Sequence, residues 1–431
     1  MRHSVLSCVF GLSIAACTAS GSDTSQHGQV FDDDGGIRGD GSAPHDSGSF
    51  DAGRDASASD ARLEASVDDG ASANDASSDS PVDAPVIDAS DGGVTCTSTM
   101  ALLAGGATSL AGASFTSGQW STATSLVGTA AAPIALAPFG AGYVGVSVAS
   151  DRSIHSTTFA SSWSALTTIG TLGSRDAPAL AAVGTSLHLA YQAQSADAAK
   201  DYKYFHGTLS GAAWDTALDP VGTPQSFGAR GPAAAGAANK LVLAQAGSDG
   251  FLYDQTWDGA WQAAHQQATT SVENVISPTL VSLRGGASDL LVVYARKTDR
   301  HFMYATRTAG AWSAPVEVYN QGGNVAFAND PVTLAALPSG GAVLAYLGGN
   351  GKPYFSLFAS GTWSAPATIA SGTVLSVPSI ATGVCGDDAV VAYVGSAGDV
   401  NVTRLTGTTW SAPTAIAGAA GMTYAAMATL P

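Results

Sequence analysis

The long C-terminal part of this chain offers few groups able to do bond-making chemistry. Residues 95–431 contain two glutamates, Glu273 and Glu317, and five histidines, His155, His188, His206, His265 and His301. No two of these histidines stand four apart and none adjoins a cysteine, so metal-ligand spacing is absent. The aspartates fall mostly at turn positions, as in Asp151-Arg152, Asp201-Tyr202, Asp249-Gly250, Asp299-Arg300 and Asp399-Val400. There an Asp side chain ordinarily serves the local backbone. A glycosidase needs two carboxyls facing one bond. A sialidase-like glycoside hydrolase would also need an arginine triad and a Tyr–Glu pair, and neither an Arg-Ile-Pro phrase near the start nor a Ser-x-Asp-x-Gly-x-x-Trp box occurs. It is the weakest reading. No glycine-rich nucleotide phrase and no supportable Ser-His-Asp set is present. The expectation is recognition without catalysis, metal or cofactor.

What recurs is aromatic. Trp-Ser-Ala-Pro stands at Trp312, Trp363 and Trp410, with looser copies at Trp120, Trp163, Trp214 and Trp261. The intervals are 43, 51, 47, 51, 51 and 47 residues. A period near 48 marks a repeat architecture, and periods of this length suggest propeller blades. One Trp per repeat at a fixed phase is read as a blade-packing residue. From Trp363 the chain runs through Thr368-Ile369-Ala370, a strand beginning at Pro378, the apolar Ala389–Val394, a turn at Asp399, and the alternating Val400–Leu405 back to Trp410. That is about four short strands with turn chemistry between them. After Trp410 there is room for one strand, at Tyr424. Before Trp120 there are only the later strands of a repeat. Joined, the two ends complete one blade, so the expectation is an all-β, seven-bladed propeller closed by N- and C-terminal strands.

The net charge of −17 is uneven. Residues 18–94 hold 17 acidic and 3 basic side chains, whereas residues 95–431 hold 17 and 13. The near-neutral body, with no basic run, argues against a nucleic-acid partner. The acidic stretch, rich in Asp, Ser, Ala and Gly, cannot bury enough apolar surface to order itself and reads as a disordered linker. Residues 1–17 read as a lipoprotein signal peptide: Arg2, a short apolar run, then Ile14-Ala15-Ala16-Cys17. That phrase resembles a bacterial lipobox, which implies lipidation at Cys17, membrane contact through the anchor alone, and an outer-membrane or cell-surface address; ordinary signal cleavage would instead make the chain secreted. Cys96 and Cys385 remain, and a disulfide between them is expected in an oxidising compartment.

The phrase Asp249-Gly-Phe-Leu-Tyr253 followed by Gly259-Ala-Trp261 resembles the repeat of PLL-like bacterial lectins. The likeness covers residues 95–431. It implies a seven-bladed propeller binding fucose or O-methylated sugars in pockets on the ring. Where that family places a Trp-His pair, this chain has Tyr253-Asp254, Phe205-His206 and Tyr354-Phe355. The rings near the turns, Tyr253, Tyr354, Phe205 and Tyr304, with Asp249 and Asp299, are the expected carbohydrate contacts, because sugars stack C–H faces on aromatics. The alternative is a cell-envelope protein-interaction scaffold. It would use one non-repeated patch around Asp299-Arg300-His301-Phe302 and Asp201-Tyr202-Lys203-Tyr204.

Overall fold

In the computed structural model the described residues are 98–430, apart from 198–199, 212, 216–218, 222–229, 268–270, 274–275, 284–289, 319–331, 349–351, 370–379, 387 and 408. The signal, Cys17, the acidic linker and Cys96 lie outside them. Every regular element described is a β-strand, and no helix among the described residues could cross a membrane.

The architecture is a β-propeller of antiparallel sheets, each repeating the same hairpin order. In one repeat Thr333–Ala336, Ala342–Leu347, Pro353–Ala359 and Thr362–Trp363 pair in sequence. Thr279–Ser282 to Ala311–Trp312 and Ile380–Cys385 to Thr409–Trp410 repeat the order. Two repeats, Ala135–Phe139 to Thr167–Ser174 and Ala179–Val183 to Ala213–Trp214, share one nine-stranded sheet. They join where Ala193 and Gln194 pair with Ser174 and Gly173. The C-terminal Tyr424–Thr429 pairs antiparallel with the N-terminal Met100–Gly105.

Position in the repeat explains composition. The second strands Leu290–Ala295 and Ala342–Leu347 are buried at every residue. They are covered on both faces and therefore read as continuous apolar runs. The first strands lie against one another from sheet to sheet, and two of them are mostly alanine and glycine, Ala233–Ala237 (AAAGA) and Ala179–Val183 (ALAAV).

The recurring tryptophan phrase has a mechanical explanation. Each Trp pairs with one residue of the third strand: Phe115–Trp120, Phe159–Trp163, Leu209–Trp214, Trp257–Trp261, Arg307–Trp312, Phe358–Trp363 and Leu405–Trp410. The next residue's N–H then donates to the third strand one position earlier, as in Ser364 to Leu357 O at 2.8 Å and Ser411 to Arg404 O at 2.9 Å. Where that residue is Ser, its Oγ accepts the N–H of the same strand residue, Leu357 N at 2.9 Å and Thr158 N (to Ser164) at 2.9 Å. The serine thus closes a two-bond clasp that holds the indole over its own blade.

Removing the clasp should cost less than removing the wedge. Ser364→Ala should lower unfolding stability by about 1 kcal/mol, the worth of one hydrogen bond. Trp363→Ala should lower it by about 3 kcal/mol, through lost packing and a cavity. Urea unfolding of both variants checks the order, and equal losses would contradict it.

Candidate functional site

The anchor tryptophans are all half-buried, and they reach beyond their own blades. Three residues before each tryptophan's strand partner stand, in turn, Gly112, Ser156, His206, Asp254, Tyr304, Phe355 and Val402. At Gly112, Ser156, His206, Tyr304 and Phe355 the next blade's tryptophan packs on this residue, and Val402 and Trp120 line one cleft. The Trp214 indole N–H donates to Ser156 Oγ at 3.1 Å. Trp261 meets His206 at 5.2 Å, Trp363 meets Tyr304 at 5.9 Å and Trp410 meets Phe355 at 5.0 Å, all edge-to-face. At Gly112 a Cβ would lie 2.2 Å from the Trp163 indole, so a side chain there would expel the ring.

Two of these junctions open into clefts. One, of about 410 Å³, lies between Ser156 and Trp214 and is lined by Phe139, Thr158, Ser164 and Thr167. The other, of about 390 Å³, lies between Val402 and Trp120 and is lined by Phe115, Gln119, Thr403 and Ser411. Both combine aromatic rings with hydroxyls and fall within the size range of small-molecule sites, roughly 300–1,000 Å³. Two further cavities, of about 280 and 480 Å³, lie between the first strands and are lined largely by Ala, Leu and Thr.

The residues expected to touch sugar face inward or pack on neighbours. Tyr253 is 8% exposed, and its hydroxyl donates to Asp249 Oδ2 at 2.5 Å. That bond holds the phenol in its protonated form and raises its pKa. Phe205 is buried against Tyr191. Tyr354 stacks on Tyr346 at 5.8 Å. Tyr304 lies under Trp363 and donates to Gly361 O at 3.1 Å. Asp249 and Asp299 are exposed but locally engaged. Each accepts the N–H two residues on, from Phe251 at 3.2 Å and His301 at 3.0 Å. Gly250 and Arg300 between them are left-handed, with φ of 80° and 58°. Asp299 is also gripped by Arg296, whose hydrogen bond pulls its pKa down. Glu317 is bonded to Arg296 at 3.2 Å and His301 at 2.7 Å. Of the six, the structure joins only Tyr253 with Asp249. Cys385 is disulfide-bonded.

The patch at Asp201-Tyr202 named from the sequence gains a partner that the sequence did not indicate, and a histidine pair joins it as a second such feature. Arg175 clamps Asp201 at 3.2 and 2.6 Å and lies 3.5 Å beneath the ring of Tyr202, which is 47% exposed. His188 Nδ1 and His206 Nε2 stand 2.8 Å apart, both rings buried against Trp257. Burial pushes both histidines down to about 4, and the neighbouring His188 adds to the shift of His206. A periodic strand reading could place His206 three before Leu209, but not its partner across the sheet.

No family model and no curated protein matches the chain. Among solved structures it is similar to the BP39L lectin from Burkholderia pseudomallei, with a TM-score of 0.62 and 16% identity over 75% of this chain and 96% of that one. AofleA from Arthrobotrys oligospora gives 0.49 and 12%, covering 69% and 89%. The Aleuria aurantia lectin, a fungal lectin described as a six-bladed β-propeller with a novel fucose recognition mode, gives 0.46 and 14%, covering 67% and 96%.

The histidine pair makes stability pH-dependent. Unfolded histidines titrate near 6.5, whereas these two titrate near 4 in the fold. Between those values the unfolded chain binds more protons, so the pair's contribution is complete above about pH 6.5 and is lost as pH falls toward 4. The melting temperature should drop over that window, and the drop should be shallower in a His188→Gln/His206→Gln variant. Parallel melting curves for the two proteins would contradict this.

Proposed function

We propose that this chain is a non-catalytic carbohydrate-binding protein, held at the bacterial outer membrane or cell surface by lipid on Cys17 and spaced from it by the acidic segment 18–94. The observation that carries the binding reading is the pair of junction clefts, where aromatic rings and hydroxyls meet on a rigid scaffold. A sugar ring needs both: an apolar surface for its C–H face and polar groups for its hydroxyls. The architecture shared with a protein named as a lectin supports the same reading. Binding rather than catalysis also agrees with the acidic side chains: Glu317, Asp299, Asp201 and Asp388 are each tied to arginine. Fucose or O-methylated sugars are the proposed class.

The ring is proposed to have seven blades, closed by the pairing of Met100–Gly105 with Tyr424–Thr429. In support, the first strand Ala135–Phe139 lies against Ala179–Val183, and the sequence continues through Ala233–Ala237, Thr279–Ser282, Thr333–Ala336 and Ile380–Cys385 to Tyr424–Thr429, which lies against Ala135–Phe139 again. Closure removes the unpaired edges of a linear array. Cys96 is the proposed disulfide partner of Cys385, fastening the N-terminal strand.

The second reading, a protein-interaction scaffold of the cell envelope, draws on the exposed Tyr202 ring seated on Arg175, a non-repeated aromatic platform.

A glycan array probed with the chain from Thr18 onward separates the two. Saturable binding to a defined sugar, reduced at least tenfold by Trp214→Ala, is expected. A blank array from folded protein would transfer the assignment to the scaffold reading. Loss of radiolabelled palmitate incorporation in Cys17→Ala checks the anchor. Non-reducing peptide mapping that found Cys96 free would remove the disulfide assignment.

A further inference from the structure

Six junctions, those at Gly112, Ser156, His206, Tyr304, Phe355 and Val402, are built alike but hold different occupants. The residue under each tryptophan is supplied by the preceding blade and varies from no side chain to a full phenol. At three junctions an aromatic ring fills the space: His206 against Trp261, Tyr304 against Trp363 and Phe355 against Trp410, with interplanar angles of 86°, 77° and 82°. Tyr304 is further pinned by its hydroxyl on Gly361 O, in the same blade as Trp363. At Gly112 the Trp163 indole itself occupies the space. At Ser156 and Val402 the small side chains leave clefts of about 410 and 390 Å³.

The indole donors differ between junctions. At the open Ser156 junction the Trp214 N–H is bonded to the serine. The N–H groups of Trp163, Trp261, Trp312, Trp363 and Trp410 are buried without a protein partner, and beneath three of these indoles, Trp261, Trp363 and Trp410, lies an aromatic ring. An unsatisfied buried donor is unfavourable, and the aromatic contact beneath it offsets that cost. The filled junctions therefore resemble the open one with its acceptor replaced by a ring.

We infer that this single position, three residues before the tryptophan's strand partner, is the gate of these six junctions. It decides whether the cleft under the next tryptophan admits one sugar ring, and the junctions at Ser156–Trp214 and Val402–Trp120 are open. The inference rests on the carbohydrate reading above and deepens it by assigning which repeats bind. Repeats of near-identical phrase thus differ in function through one side chain. With two open clefts on one rigid ring, weak monovalent binding is amplified on a surface carrying many copies of the sugar.

The test uses the chain from Thr18 onward with 5-fluorotryptophan at its eight tryptophans. Fluorine NMR reads each indole with methyl α-L-fucoside and, separately, with a soluble gadolinium chelate. The fucoside should shift the Trp120 and Trp214 signals and leave those of Trp363 and Trp410 in place. Ser156→Phe should abolish the Trp214 shift and reduce its relaxation by the chelate. Phe355→Ser should raise chelate relaxation of Trp410 several-fold and add a fucoside shift there, whereas Phe355→Tyr should do neither. An unchanged Trp410 in folded Phe355→Ser, or a fucoside shift at Trp363 or Trp410 in the parent chain, would overturn the gate. If Phe355→Ser does not fold, Ser156→Phe decides alone, through the accessibility of Trp214. If the fucoside shifts nothing while the chelate responses follow the substitutions, the gate stands and the fucose assignment falls.

Discussion

The propeller depends on tryptophan wedges that each touch two blades. Within a blade, the indole is held over the third strand by the backbone clasp at the following residue. Between blades, its other face meets the preceding blade three residues before that blade's own tryptophan partner. A flat, rigid ring suits this because it buries a large area while fixing only two torsions. Backbone ladders stitch the strands inside the sheets, whereas the bonds between blades are scattered single ones, such as Trp214 to Ser156 Oγ, Tyr304 to Gly361 O and Val384 N to Thr429 Oγ1, so the interlocking rings do much to set how one sheet lies on the next. Gly112 shows how little slack the arrangement has, since any side chain there would meet the Trp163 indole.

Charge is handled locally. The turn between second and third strands repeatedly begins with an Asp that accepts the N–H two residues on, which lets the residue between them adopt the left-handed conformation. Non-glycine residues stand there at Arg152 and Arg300. Several arginines near these turns pair with carboxylates: Arg175 with Asp201, Arg296 with Asp299 and Glu317. These bonds engage the charged groups at those turns with one another. That leaves the aromatic and hydroxyl-bearing junctions as the surfaces suited to a neutral ligand.

Much of the repeat was legible in the sequence because its causes are local. The tryptophan phase, the Asp turns and the apolar second strands each follow from residue type and short-range spacing, and the strands fall where those signals put them. The contacts were less legible. Tyr253 and Phe205 sit near turns in sequence, yet both are buried, because the third strands that carry them have runs of buried positions rather than a strict alternation. The histidine pair was equally hidden. His188 and His206 belong to adjacent antiparallel strands, and they meet only through the register that sets Ala190 opposite His206.

From sequence alone follow the all-β class, the repeat length and the residue that anchors each repeat, because each is written within a single repeat. The tertiary structure alone decided what lies beneath each anchor. Ser156 and Trp214 are 58 residues apart, in different repeats, and their contact exists only once consecutive blades stack face to face. Whether a junction is a filled core or an open cleft depends on that stacking, which no pattern within one repeat encodes.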